Sequence, residues 1–216
     1  SSLPSHFISV NILKDRMKNW SSEQKYNHLA KQGLPLPGLD WKVVDAKGQE
    51  IKWDGRELGQ FLVKGPWIIE EYYKEPEKTK ESFKGGWLHT RDMVTVDEEG
   101  NIKIVDRLGD LIKSGGEWIS SVDLEDMIRG YPAVQEAAVI GVPHSYWGER
   151  PISFVSLKPE FKDKTSENEI VDFLKGKVAK WQIPDKVIFM DEIPKTSVGK
   201  LNKKLLREKF DKELSR

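Results

Sequence analysis

The chain contains no cysteine among its 216 residues. Disulfides, thiolate nucleophiles and cysteine-ligated metals are therefore excluded. It also has no net charge, because 35 Lys and Arg balance 35 Asp and Glu. No long-range field draws it toward nucleic acid or an anionic membrane, and no nucleic-acid partner is expected. No apolar run approaches the roughly 20 residues that a transmembrane helix needs. The opening "SSLPSHFISV" has neither an initiator methionine nor a charged-then-apolar signal layout. A piece of a longer polypeptide, cytoplasmic in location, is the expectation. The four histidines, His6, His28, His89 and His144, lack metal-ligand spacing, so no metal-binding residue is expected here. The absence of a Gly-x-Ser-x-Gly elbow argues against a serine hydrolase. There is no internal repeat.

What is present is 38% apolar and 32% charged residues, the balance of a globular chain with a charged surface. At about 150 residues per domain, the length suits one large domain or two small ones. Residues 1–35 are polar with scattered aromatics, and 14–32 carries only a poor helical pattern. From Leu36 onward the texture is β-rich: "WKVVD" (41–45), "LGQFLVK" (58–64), "WLHTRDMVTVD" (87–97) and "IKIVD" (102–106) alternate. Gly48 and Gly100 sit in turn sequences that call for positive φ. A short helix fits at 75–83. The first half, 1–108, therefore reads as a small antiparallel β subdomain.

The second half, 109–216, interleaves helices and strands. Ser120 is a candidate N-cap with Asp123 three residues on, Leu124, Met127 and Ile128 form an apolar face, Gly130 sits where a C′ residue belongs, and Pro132 follows. "EAAVIGV" (136–142), "PISFVSLK" (151–158) and "KVIFM" (186–190) read as strands. Ser166 to Glu169 is a second capping box, with Ile170, Phe173, Leu174 and Val178 on one side. Leu205, Leu206 and Phe210 mark a last amphipathic helix. The fold class expected is α+β: the β subdomain followed by a compact α+β domain.

Three stretches carry candidate chemistry. In "PKTSVGK", Lys200 follows a small polar loop, and Gly199 permits close backbone approach. The segment is not a Walker A loop, since the first glycine is missing and Leu201 follows the lysine. It is either a mobile phosphate clamp or a solvated lysine before a helix. In "DRLGDLIKSGGEWISS", Arg107, Asp110, Lys113 and Trp118 surround the Gly115–Gly116 pair. That pair is either an ordinary hairpin turn or a nucleotide or thioester site whose amides face a ligand. In "HTRD", Asp92 lies within a strand, where aspartate is disfavoured. It either receives ribose hydroxyls or pairs with Arg91 or Arg107.

The order of "GWLHTRD", "DRLGDLIKSGGEWISSVDLE" and "PKTSVGK" resembles three successive core motifs of the adenylate-forming superfamily. That superfamily includes acyl-CoA synthetases, peptide-synthetase adenylation domains and beetle luciferases. "KSGGEWISS", followed by "AAVIGVPH" and "ERP", most resembles its medium- and long-chain fatty acid–CoA ligases. The resemblance covers nearly the whole chain from about residue 33.

The resemblance implies a two-step reaction. A carboxylate attacks the α-phosphate of Mg2+-bound ATP to give an acyl-adenylate, and the CoA thiol then displaces AMP after the C-terminal domain rotates. Asp92 would bind the ribose hydroxyls and Arg107 the ribose side of the nucleotide. Lys113 and Trp118 would approach the adenylate. Gly115, Gly116 and Glu117 would line the tunnel for the pantetheine arm of CoA. Gly109 would be the hinge, and Lys200 the adenylation lysine. Two positions depart from the family pattern. Arg91 stands where the family has glycine, and could pair with Asp92 or crowd the nucleotide. Gly109 stands where the family commonly has Lys or Asp. The phosphate loop, the magnesium-linked glutamate and the acyl pocket would lie upstream, in a missing N-terminal domain of the same polypeptide. The 216 residues alone are therefore expected to be inactive, with self-association or a homo-oligomer following if the β half exposes apolar surface. A stand-alone CoA- or nucleotide-binding module without catalysis, and an adenylate-former with a carrier-protein acceptor, are the alternatives.

Overall fold

The computed structural model describes residues 7–162 and 164–214; His6 lies outside them. The chain divides into two compact units, one ending at Leu108 and the other beginning at Gly109.

The first unit runs through β1 (Ser9–Val10), α1 (Ser22–Leu29), β2 (Leu34–Pro35), β3 (Asp40–Val44), β4 (Gly59–Lys64), α2 (Pro76–Ser82), β5 (Phe83–Lys84), β6 (Trp87–Val96) and β7 (Ile102–Arg107). Helix α1 occupies only part of the weak 14–32 pattern. It begins at a capping box, Ser21 to Gln24, and a single 3-10 turn at Asp15–Met17 precedes it. β1 and β2 pair separately. The remaining strands form an antiparallel sheet in which β6 carries β4 along one edge and β5, then β7, along the other. Val43, Phe61, Val63, Leu88, Val94, Val96 and Ile102 build its core. Gly48 and Gly100 have φ of 81° and 82°, as their turns require.

The centre of β6 is irregular, and the irregularity shapes the site. Gln60 faces Met93 and Leu62 faces His89, so four residues of β6 span what two of β4 span. The surplus bulges at Thr90–Arg91–Asp92. The Thr90 hydroxyl fills the gap: it donates to the Phe61 carbonyl at 2.9 Å and accepts from the Asp92 amide at 3.1 Å. Arg91 takes φ 66°, a left-handed conformation that an L side chain adopts at a cost of about 1–2 kcal/mol. Bulges re-aim the side chains beside them.

The second unit comprises β8 (Ile112–Ser114), β9 (Glu117–Ile119), α3 (Ser121–Arg129), β10 (Val134–His144), β11 (Gly148–Leu157), α4 (Glu167–Leu174), β12 (Lys186–Phe189) and α5 (Lys203–Leu214). β10 and β11 form a long antiparallel hairpin. β12 lies parallel to β11, and β8 meets β11 at Gly148–Ser114. Both faces of this sheet are covered. Val139, Val155 and Val187 pack with Leu124 and Ile128 of α3 and Ile170 and Leu174 of α4. Ala138, Ile140, Ile152 and Phe154 pack with Leu206 and Phe210 of α5. Two-sided burial explains why "AAVI" reads as a continuous apolar run rather than an alternation.

The caps at Ser120 and Ser166 form as their sequences predict, each serine hydroxyl accepting an amide three residues on. Three expectations require correction. Met127 is exposed, and Glu125 is buried in the same helix. Gly130 ends α3 in a right-handed conformation, φ −66°, so it is not a left-handed C′ residue. Val178 lies beyond α4, which stops at Leu174, although it still packs against the core. The turn containing Gly176, φ 79°, separates them.

Candidate functional site

In the first unit the bulge sets Asp92 directly opposite Arg107 across β6 and β7. Arg107 Nε lies 3.4 Å from Asp92 Oδ1. The pair is half open, with the Asp92 side chain 25% and the Arg107 side chain 55% exposed, so both groups remain reachable. Next to them, buried Asp106 accepts the Arg107 amide at 2.7 Å, and the Leu108 amide donates to the Arg91 carbonyl. The arrangement offers an anionic acceptor and a planar cationic donor side by side, which matches a diol beside a phosphate. His89, one turn of the pleat away, contacts Gln60 Oε1 at 3.1 Å. Burial, with Lys84 and Lys42 nearby, pushes its pKa down.

In the second unit the β8–β9 hairpin turns at Gly115 and Gly116, with φ of 60° and 93°. Two consecutive positive φ values define the tight turn that admits glycine. Gly115 has a second reason: a Cβ there would lie 2.8 Å from the Trp147 ring, and its amide donates to the Trp147 carbonyl. Gly116 has open space around it. Lys113 and Trp118 face each other across the hairpin, the ammonium 5.0 Å from the indole centroid. Trp118 is 44% exposed, and Glu117 is exposed at the start of β9. Lys113, Trp118 and the two glycines thus share one hairpin.

Lys200 stands on another hairpin of the same unit. The Gly199 amide bonds the Thr196 carbonyl, the Thr196 amide bonds the Lys200 carbonyl, and Asn202 bonds Pro194. Gly199 has φ 79°. This is a type I turn closed by a left-handed glycine, so Gly199 serves the turn itself. The Thr196 hydroxyl also accepts the Lys200 amide. The backbone of Lys200 is therefore fixed, while its side chain is exposed.

The neighbouring cations are engaged. Lys195 pairs with Glu136 and Arg207 with Asp110, both at 2.7 Å, and Lys204 approaches Glu208 at 4.0 Å. Lys203 pairs with Glu125 at 2.7 Å, with side chains 11% and 7% exposed. Among the described residues the Lys200 ammonium has no such partner. Arg207 also donates to the carbonyl of Gly109, the expected pivot, at 2.8 Å. Sequence reasoning missed Glu125, Lys203 and Arg207 as supports, because their partners lie 78 to 98 residues away. No three His, Asp or Glu side chains among the described residues converge as a metal site. No helix among them is long and apolar enough to cross a membrane.

Residues 123–200 match the family described as AMP-binding enzyme C-terminal domain. The chain is 45% identical, over 204 residues, to the long-chain-fatty-acid–CoA ligase of Thermus thermophilus, covering 94% of this chain and 37% of that protein. It is 39% identical over 191 residues to the medium-chain-fatty-acid–CoA ligase of Ectopseudomonas oleovorans, covering 88% and 34%. The structure of o-succinylbenzoate CoA synthetase from Bacillus subtilis, in complex with its acyl-adenylate intermediate, matches with a TM-score of 0.75 at 33% identity, covering 86% and 37%. Over most of its length the chain is thus similar to acyl-CoA ligases. It spans little more than a third of the length of the curated relatives it matches, in the part that carries their C-terminal domain.

Proposed function

We propose, from this kinship, that the chain is the C-terminal part of an AMP-forming fatty acid–CoA ligase and supplies its adenylation lysine, Lys200. Residues up to 108 are the end of the AMP-binding domain, and residues from 109 are a mobile lid. In the first half-reaction a fatty-acid carboxylate oxygen attacks the α-phosphorus of Mg2+-bound ATP, and pyrophosphate leaves. In the second the CoA thiol attacks the acyl carbon, and the bond to AMP breaks. The magnesium ligands and the acyl pocket belong to the upstream domain. Asp92 receives the ribose hydroxyls beside Arg107. Lys113 and Trp118 approach the adenylate, and Gly115, Gly116 and Glu117 form the edge that meets the pantetheine arm. The lid changes position about Gly109 between the steps.

The observation that carries this reading is the state of Lys200. A rigid hairpin fixes its backbone, while every other basic residue from Lys195 to Arg207 has a carboxylate partner. An unpaired ammonium carried on a fixed backbone is suited to stabilise charge building on the α-phosphate and the attacking carboxylate. A swinging support removes that charge once its step is finished. The test is fatty-acid-dependent exchange of pyrophosphate into ATP. The full polypeptide that this reading requires exchanges it, and the 216-residue chain alone does not. Tight binding of ATP or CoA by the chain alone, without exchange, would instead favour a stand-alone binding module, and exchange by the chain alone would contradict the reading.

A further inference from the structure

Arg150 is buried in the second unit, 9% exposed, and every N–H of its guanidinium is used. Nε and Nη2 donate to Asp185 Oδ1 at 2.9 and 2.6 Å, and Nη2 also donates to the Ile183 carbonyl at 3.0 Å. Nη1 donates to the Trp181 carbonyl and, at 3.0 Å, to the hydroxyl of Ser114. One side chain of β11 therefore ties the segment before β12 to Ser114, the residue that enters the Gly115–Gly116 turn. Ser114 is itself buried, 2% exposed. The neighbouring contacts hold the same turn: Glu149 accepts the Lys113 amide at 2.8 Å, and the Trp147 carbonyl accepts the Gly115 amide. A Cβ on Gly116 would meet nothing within 4 Å, so the turn is held from Gly115, against Trp147, and from this anchor at its base.

We propose that Arg150 is a positioning residue for the Gly115–Gly116 turn, acting through Ser114, and so governs the thioester-forming step while leaving adenylation alone. This rests on the reading of that turn as the edge that meets CoA. A buried guanidinium with five fixed donors sets an orientation that a lysine, with one point charge, cannot reproduce. The Lys200 hairpin has a different support, the buried Lys203–Glu125 pair at the start of α5, where Lys203 also donates to the Ser121 hydroxyl. The two half-reactions thus have separate anchors.

Two measurements test this. Hydrogen exchange on the chain itself compares wild type with Arg150→Gln and with the milder Ser114→Ala. The amides of Gly115, Gly116 and Glu117 exchange faster in both variants, while those of 196–201 keep their protection. Exchange that rises evenly across the unit, or leaves the turn untouched, overturns the proposal. In the full polypeptide, Arg150→Gln slows acyl-CoA formation from supplied acyl-adenylate by about 10²-fold, the scale of a 1 Å misplacement. Its pyrophosphate exchange stays within about twofold of wild type, and Arg150→Lys does not rescue the second step. Equal losses in both half-reactions overturn the proposal. If the wild-type full polypeptide forms no acyl-adenylate, the reading of the site fails, and the exchange data alone decide whether Arg150 holds the turn.

Discussion

Asp92 and Arg107 are cross-strand partners, 3.4 Å apart, brought face to face by the bulge that Thr90 plugs. The pair is too exposed to stabilise the fold by more than about 1 kcal/mol, so its value lies in what it presents. Asp92→Ala in the full polypeptide raises the KM for ATP about 10- to 100-fold, the worth of hydrogen bonds to a charged acceptor. It lowers the melting temperature little. An unchanged KM would remove Asp92 from the nucleotide site.

Arg91 holds φ 66° where glycine would be unstrained. Arg91→Gly is expected to stabilise the chain by about 1 kcal/mol in urea unfolding. Arg91→Val destabilises it, since a β-branched residue tolerates that conformation worst. Loss of stability in Arg91→Gly would mean that the arginine side chain makes a contact worth more than the strain.

Lys203 and Glu125 are an ion pair out of water, and Glu125 also accepts the Val139 amide at 2.8 Å. Glu125→Gln leaves a buried ammonium without its counter-charge and costs about 3–5 kcal/mol in denaturant unfolding. Replacing both residues with apolar ones of similar size recovers most of that loss. A double variant as unstable as the single one would show that packing, not charge, sets the cost.

Asp97 closes the turn before β7. Burial alone would raise its pKa, but the Lys31 ammonium at 2.6 Å and the backbone and side chain of Asn101 together hold it below 3.8. A depressed carboxylate binds fewer protons folded than unfolded. Its contribution is therefore complete above pH 3.8 and drains away as pH falls through the lower folded value. Asp97→Asn lowers stability at neutral pH and flattens the acid limb of the stability profile. An acid limb parallel to wild type would contradict this linkage.

Local chemistry was legible in the sequence, and long-range pairing was not. Ser120 and Ser166 announce their helices because a cap is settled within four residues. Gly48 and Gly100 announce their turns for the same reason. The expectation that Asp92 pairs with Arg91 or Arg107 left the partner open. The β6–β7 register decides for Arg107, and no short window encodes that register. Met127 and Glu125 exchange the places that an apolar count assigns them, because Lys203 supplies a charge to Glu125 from 78 residues away. Arg150 entered only as one letter of "ERP", with no sign of a structural role: its partners are Ser114 and three residues of the 181–185 segment, and only their convergence makes it an anchor.

The decisive experiment compares the two half-reactions in the full polypeptide with Lys200→Ala. Fatty-acid-dependent pyrophosphate exchange is expected to fall about 10²- to 10³-fold, the loss that follows removal of one preorganised electrostatic contact. Acyl-CoA formation from supplied acyl-adenylate stays near wild type. Equal loss in both steps, or none in either, would contradict the assignment of Lys200 as the adenylation lysine.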